Sequence, residues 1–242
     1  MLIEEDLGFN MAFNIGAANE PGHVIGTTGI IHDNLELYID PSDFDSYVGS
    51  GTTMTDLSGN GANGTMSTDA IGTTNEEGNF LTFDGTDDYI SFSAITTLDA
   101  WSLCFWLWHS VAQNTNYERI FGAASFQFDI AEDTSDQITF YDGAWETAMS
   151  DVTVTATDGW VNLVFVFTAG PRMHIYRNGL QVKNSLVDGR ALGGKAFNLG
   201  SRQASPGEYW AGYMGPFMVY SSMLTQSQVT CNFNADRGRF GV

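Results

Sequence analysis

Short runs in which apolar and polar residues alternate recur from Leu35 to Tyr220, separated by clusters of Gly, Asn, Asp and Ser. That is the pattern of half-buried strands joined by turns. It predicts strands at Leu35–Asp40 (ending at Pro41), Phe80–Phe83, Tyr89–Phe92, Phe126–Ile130, Gln137–Tyr141, Val152–Ala156 and Tyr209–Tyr220, with Pro216 at an edge or bulge. Trp101–His109 is apolar on both faces, with Trp101, Leu103, Phe105 and Leu107 on one and Cys104, Trp106 and Trp108 on the other. Such a strand lies centrally, or its outer face is covered by a further layer or a partner. Trp160–Phe167 reads the same way. Asn178-Gly179 between His174–Arg177 and Leu180–Val182 predicts a two-residue hairpin, because that turn requires positive φ at both central positions.

The polar stretch Ser42–Gly78 is too long for a structureless loop inside a compact domain, so it is functional or hides short strands, for example at Gly64-Thr65-Met66. One helix is expected near the C-terminus. Thr225 and Gln228 make a capping box, Leu224 and Val229 a hydrophobic staple, and Gly238 ends the helix. No fixed-period repeat occurs, which argues against propellers and solenoids. The elements amount to an all-β, two-sheet antiparallel jelly-roll sandwich over residues 34–242. Residues 1–33 lack alternation and read as an extended arm, with Phe9, Met11 and Phe13 as candidate assembly contacts.

Composition sharpens this picture. A chain of 242 residues with 13% aromatics fills the core of one large β domain. With 9 basic against 29 acidic residues and a net charge of -20, it lacks the basic footprint that nucleic acid or anionic lipid requires. The acidic surface either resists self-association or attracts a cationic partner or divalent cations. Cys104 and Cys231 form no metal-ligand spacing and read as small buried hydrophobes rather than a disulfide. No segment is apolar over a bilayer's width, and the opening Met1–Asp6 is acidic where a signal peptide is basic, so synthesis and assembly in a cytoplasm are expected.

No nucleophile elbow or phosphate loop is present, and the four His carry no motif context. Glycosidases on sandwiches carry paired carboxylates, often alternating along one strand. No such run exists here, and Asp129, Glu132, Asp133 and Asp136 look like a turn, so a non-catalytic chain is expected. Asp84, Asp87 and Asp88, on the turn Phe83–Tyr89, suit a hard cation such as Ca2+. The alternative, which composition alone favours, is a polar hairpin whose Asp side chains cap backbone N–H groups. Tyr47, Trp145, Tyr209 and Trp210 are candidates for stacking on sugar rings, unless they pack on the core.

Leu81–Ile90 resembles the F-D-G-x-x-D-Y strand-turn-strand of laminin G-like, concanavalin A-like domains. Trp101–Trp108, Trp160–Phe167, the Met173–Val182 hairpin and Gly212–Thr225 resemble the family's later motifs. More narrowly, Leu37–Pro41, Ser46-Tyr47, Gly49–Thr53, Asp56–Gly61, Asn63–Thr65 and the ending Asn232–Ala235 with Arg239–Val242 are similar to such domains in bacteriophage virion proteins, especially marine ones. The resemblance implies a virion structural or decoration protein. Its arm would hold capsid or tail proteins, in a homo-oligomer or larger assembly, and its sandwich would bind a surface polysaccharide. A soluble Ca2+-dependent lectin is the alternative, and a glycoside hydrolase a further one. The family's Ca2+ site often adds an Asp from the closing strand, where this chain has Tyr213-Met214-Gly215-Pro216.

Overall fold

The computed structural model describes residues 29–67, 72–75, 78–95, 100–109, 117–124, 129–133, 135–141, 145–146, 152–168, 170, 172–186, 194–203 and 206–242. Phe9, Met11 and Phe13 lie outside the described residues. In chain order the strands are β1 (Leu35–Ile39), β2 (Thr53–Met54), β3 (Gly64–Met66), β4 (Gly72–Asn75), β5 (Gly78–Asp84), β6 (Ile90–Phe92), β7 (Trp101–His109) and β8 (Glu118–Ala123). Then follow β9 (Asp129–Glu132), β10 (Ile138–Tyr141), β11 (Trp145–Glu146), β12 (Val161–Phe167), β13 (Arg172–Arg177), β14 (Leu180–Leu186), β15 (Phe197–Leu199) and β16 (Ala211–Tyr220). A helix, α1 (Gln226–Phe240), closes the chain.

The strands form two eight-stranded antiparallel sheets. The first runs β14-β13-β12-β7-β16-β5-β4 with β1 also on β16, and the second β11-β10-β9-β8-β15-β6-β3-β2. Their facing sides enclose the main core, where Leu103, Phe105, Phe165 and Phe217 of the first sheet meet Phe121, Ile130, Phe140 and Phe197 of the second. The expected sandwich is therefore present. The outer face of β7 is also covered, as its apolar pattern requires. Cys104 joins a second cluster with Ile30, Ile31, Tyr220, Leu224 and Val229, and Trp106 stacks on Phe233 and Phe240 of α1 at 5.8 and 4.3 Å between ring centroids.

The hairpin at Asn178-Gly179 has φ of 49° and 77°, as its turn chemistry demands. Pro216 sits in a central strand, not at an edge, and is tolerated because the β16–β7 register slips between Met214 and Phe217. At the same place the other side of β16 changes partner, from β5 over 211–214 to β1 over 217–220. The stretch after Ser42 does hide β2, β3 and β4. Buried Asp56 ties it down, accepting from the backbone N–H of Tyr38, Ser58 and Ala62 at 3.0, 2.9 and 3.0 Å.

Several expectations need correction. Around Val152–Ala156 the structure has only an isolated bridge, Gln137 with Thr153. The boundary at residue 33 falls too late, since Ile30 and Ile31 are buried and Ile31 N–H donates to Asn232 Oδ1 at 2.9 Å. The capping box at Thr225 and Gln228 forms, but α1 runs through Gly238 to Phe240 and is capped by left-handed Gly241. A mid-helix Gly costs about 1 kcal/mol. The contacts beyond it offset that cost: Phe240 on Trp106, and Arg239 on Asp40 at 2.7 and 3.0 Å.

Candidate functional site

Residues 208–211, leading into β16, bring two groups of carboxylates to one end of the sandwich. Arg119 N–H donates to the Glu208 carbonyl at 2.7 Å and Trp210 N–H to the Gly200 carbonyl at 3.0 Å, which anchors the segment to the second sheet. Ala211 then pairs with Asp84 at the end of β5 in the first sheet.

On one side of this segment lies the acidic turn. Gly85 adopts φ of +77°, and a Cβ there would stand 2.9 Å from the Ala211 side chain, so only glycine lets the turn approach so closely. Asp88 is buried and its Oδ2 accepts from Asp84 N–H at 3.0 Å, while Asp84 Oδ1 accepts from Thr86 N–H at 2.7 Å and Asp87 N–H at 3.3 Å. Asp84 and Asp88 therefore cap the turn. One oxygen from each of Asp84, Asp87 and Asp88 nevertheless lies within 4.8 Å of the others, a donor set of carboxylates that suits a hard cation. Half-exposed Tyr89 follows directly, and half-exposed Tyr209 stands beside it. Partial burial, then Tyr89 and Asp87, push the Tyr209 phenol upward.

On the other side the carboxylates are buried. The Trp210 indole N–H donates to Glu132 Oε2 at 3.4 Å, and Ala211 N–H to Glu118 Oε2 at 3.0 Å. Glu118 and Glu132 are direct cross-strand partners of β8 and β9. His109, ending β7, places Nδ1 3.5 Å from Glu132 Oε1 and 3.8 Å from Asp136 Oδ1. Burial pushes the Glu132 carboxyl up to about 8. It also lowers the His109 imidazole, opposed by Asp136 and the Val154 backbone. Nearby, Arg119 bridges Asp129 at 3.1 Å and Glu208 at 2.7 Å. Burial outweighs Arg119 and raises the Asp129 carboxyl to about 6.

Of the four aromatics expected to stack on sugars, two are corrected. Tyr47 is 3% exposed and Trp210 0% exposed, and both belong to the main core, so neither ring face is open to a ligand. Trp145 pairs through its backbone with Tyr141, and its side chain lies outside the described residues. Tyr209 alone of the four is described as partly exposed. Gly215 does not border the acidic turn. It lies under α1, where a Cβ would meet Phe240 Cζ at 2.8 Å and Trp106 Cβ at 3.1 Å, and a carboxylate would find no room. Elsewhere a cleft of about 220 Å³ opens between Glu36, Asn60, Ala62, Ser93 and Ile95, and none of its described lining residues is aromatic.

A sequence model described as the concanavalin A-like lectin/glucanases superfamily matches residues 84–230. No curated protein sequence matches the chain. Among solved structures, the chain is similar to domain 4 of AbnA, a GH43 extracellular arabinanase from Geobacillus stearothermophilus, in complex with arabinotriose. The identity is 18%, the TM-score 0.61, and the match covers 81% of this chain and 97% of that one. It is also similar to Trypanosoma rangeli sialidase, at 13% identity and TM-score 0.59, over 88% of this chain and 34% of that one. A third is the botulinum neurotoxin serotype D binding domain, at 12% identity and TM-score 0.59, over 84% and 52%. At these identities the likeness establishes the fold, and the chain spans about a third of the sialidase and half of the neurotoxin domain.

These structures correct the expectation of a non-catalytic chain. The fold is shared with a sialidase and a domain of an arabinanase as well as with a binding domain, so fold gives no ground for excluding catalysis. The sequence argument also fails physically. Carboxylates can meet across neighbouring strands, as Glu118 and Glu132 do, without alternating along one.

Proposed function

Since the chain belongs to the concanavalin A-like lectin/glucanases superfamily, we propose that it binds carbohydrate at the rim formed by the Asp84–Asp88 turn and residues 208–211. The observation that carries this reading is the juxtaposition of half-exposed Tyr89 and Tyr209 with exposed Asp84 and Asp87. Aromatic faces supply apolar contact for a sugar ring, and carboxylates accept hydrogen bonds from its hydroxyl groups. Its solved neighbours support the class of ligand, since one is in complex with arabinotriose. A net charge of -20 favours a neutral polysaccharide over a polyanionic one. In this reading Asp84, Asp87 and Asp88 hold a Ca2+ ion that stiffens the turn and offers a Lewis-acidic contact to sugar hydroxyls.

Calorimetry against neutral and acidic oligosaccharides, with and without chelator, tests both parts. Tyr209→Ala should weaken binding about tenfold, the loss of one aromatic contact. Binding that ignores this substitution would remove the rim as the site, and binding that ignores chelator would remove the ion. The carrier remains a narrower proposal, a phage particle decorated by this module. It is supported by the resemblance of Leu37–Pro41, Ser46-Tyr47, Gly49–Thr53, Asp56–Gly61, Asn63–Thr65, Asn232–Ala235 and Arg239–Val242 to virion domains. Mass spectrometry of purified virions lacking the chain would overturn it.

A further inference from the structure

We propose that His109, Glu132 and Asp136 form a site for one transition-series divalent cation such as Zn2+, separate from the Asp84–Asp88 turn. The three residues come from both sheets. His109 ends β7, Glu132 ends β9, and Asp136 lies in the turn between β9 and β10. A ligand atom from each lies within 4.8 Å of the other two.

The spacing is the first argument. His109 Nδ1 stands 3.5 Å from Glu132 Oε1 and 3.8 Å from Asp136 Oδ1. Neither makes a hydrogen bond of ordinary geometry. Ligands at about 2.0–2.1 Å from a tetrahedral metal are separated by roughly 3.4 Å, so the two His109 separations are near those of a bound ion, and the Glu132 and Asp136 oxygens, within 4.8 Å of each other, would draw together around it.

The second argument is independent of the acidic cluster. His109 is 0% exposed, and neither ring nitrogen makes a hydrogen bond of ordinary geometry, although the Val154 backbone lies near enough to favour the protonated ring. A buried polar side chain left in that state is costly, and coordination through Nδ1 removes part of the cost. The Trp210 indole donates to Glu132 Oε2, which leaves Oε1 turned towards His109. Holding the non-ligating oxygen in this way is how outer partners orient a metal-binding carboxylate. The Asp136 side chain is 31% exposed, which gives an ion a way in and leaves room for water as a further ligand. An imidazole among carboxylates selects Zn2+, Co2+ or Ni2+ over Ca2+ or Mg2+.

The test uses the full, untagged chain freed of metal by chelator. Titration with Co2+, followed by visible absorption and calorimetry, should show one saturable equivalent displaced by Zn2+ and not by millimolar Ca2+. Asp136→Asn and His109→Gln should each weaken binding at least tenfold while near-ultraviolet circular dichroism stays unchanged. Should His109→Gln fail to fold, Asp136→Asn carries the test, because its side chain reaches solvent. Asp87→Asn should bind Co2+ as before, which separates this site from the carbohydrate rim. Absence of saturable binding, displacement by Ca2+, or variants that bind as the parent would leave only a structural His–carboxylate contact and overturn the proposal.

Discussion

Arg239 ties the end of the helix to the first strand, and its removal has a calculable effect. Nη1 and Nη2 bind the two carboxylate oxygens of Asp40 at 2.7 and 3.0 Å, and Nη1 also meets Asp236 at 3.1 Å. The Asp40 side chain is 6% exposed, but that of Arg239 is 34% exposed. Removing one partner of a fully buried pair costs about 3–5 kcal/mol, and an exposed pair contributes about 0–1 kcal/mol. Solvent screening at the Arg239 end places Arg239→Met between these limits, at about 2 kcal/mol. For a chain of this length that corresponds to a fall in melting temperature of roughly 4–8 °C. Despite the opposing effect of burial, Arg239 and the Ser42 contacts hold the Asp40 carboxyl below its usual 3.8. A depressed carboxyl contributes stability above its unfolded value and loses it as pH falls through the folded one. The gap between parent and variant should therefore be widest above neutral pH and close on acidification, first as Asp236, raised by burial to about 6 against the pull of Arg239, takes up its proton, and then as Asp40 does below about pH 4. Calorimetric melting at low salt across that range measures it. A shift under about 1 °C at pH 7, or a gap that widens on acidification, would refute the reasoning.

Three further outcomes follow from local geometry. Gly215→Ala should cost about 1 kcal/mol and Gly215→Val about 2–3 kcal/mol by urea unfolding, because the added atoms press on Phe240 and Trp106. Thr225→Ala should cost about 1 kcal/mol, read as a lower denaturation midpoint, since it deletes the hydroxyl that accepts from Gln228 N–H and leaves only the bond from the backbone N–H of residue 225 to Gln228 Oε1. Thiol titration should find Cys231 reactive in the native protein and Cys104 reactive only after unfolding. Cys104 is 2% exposed with its thiol pushed up to about 12 by burial, and the thiolate is the reacting species.

The strands were legible wherever local chemistry and burial pointed the same way. Trp101–His109 is apolar on both sides because one face meets the other sheet and the other meets α1, and both demands are written into the strand itself. Asn178-Gly179 is equally local, since a turn's φ values select its residues. The helix end was not local. Gly238 looks like a stop, and α1 passes it only because Trp106 and Asp40, both distant in sequence, wait for Phe240 and Arg239.

The site divides along the same line. The Asp84–Asp88 turn is a contiguous motif, so its carboxylates could be named from sequence, as could Tyr209 beside them. Tyr47 and Trp210 sit among polar neighbours that suggest exposure, but a large ring is buried or exposed according to what the opposite sheet places over it. The His109 cluster had a weaker signal still. Asp129, Glu132, Asp133 and Asp136 read as an ordinary turn until pairing of β9 with β8 puts Glu132 opposite Glu118, and closure of the sandwich brings His109 from the other sheet. The one available clue was the strand itself. His109 continues the alternation of Leu103, Phe105 and Leu107, so its imidazole had to enter the core side of β7. A polar group sent there needs a partner from the facing sheet, and in this sequence the acidic residues of β9 and its turn were the ones able to supply it.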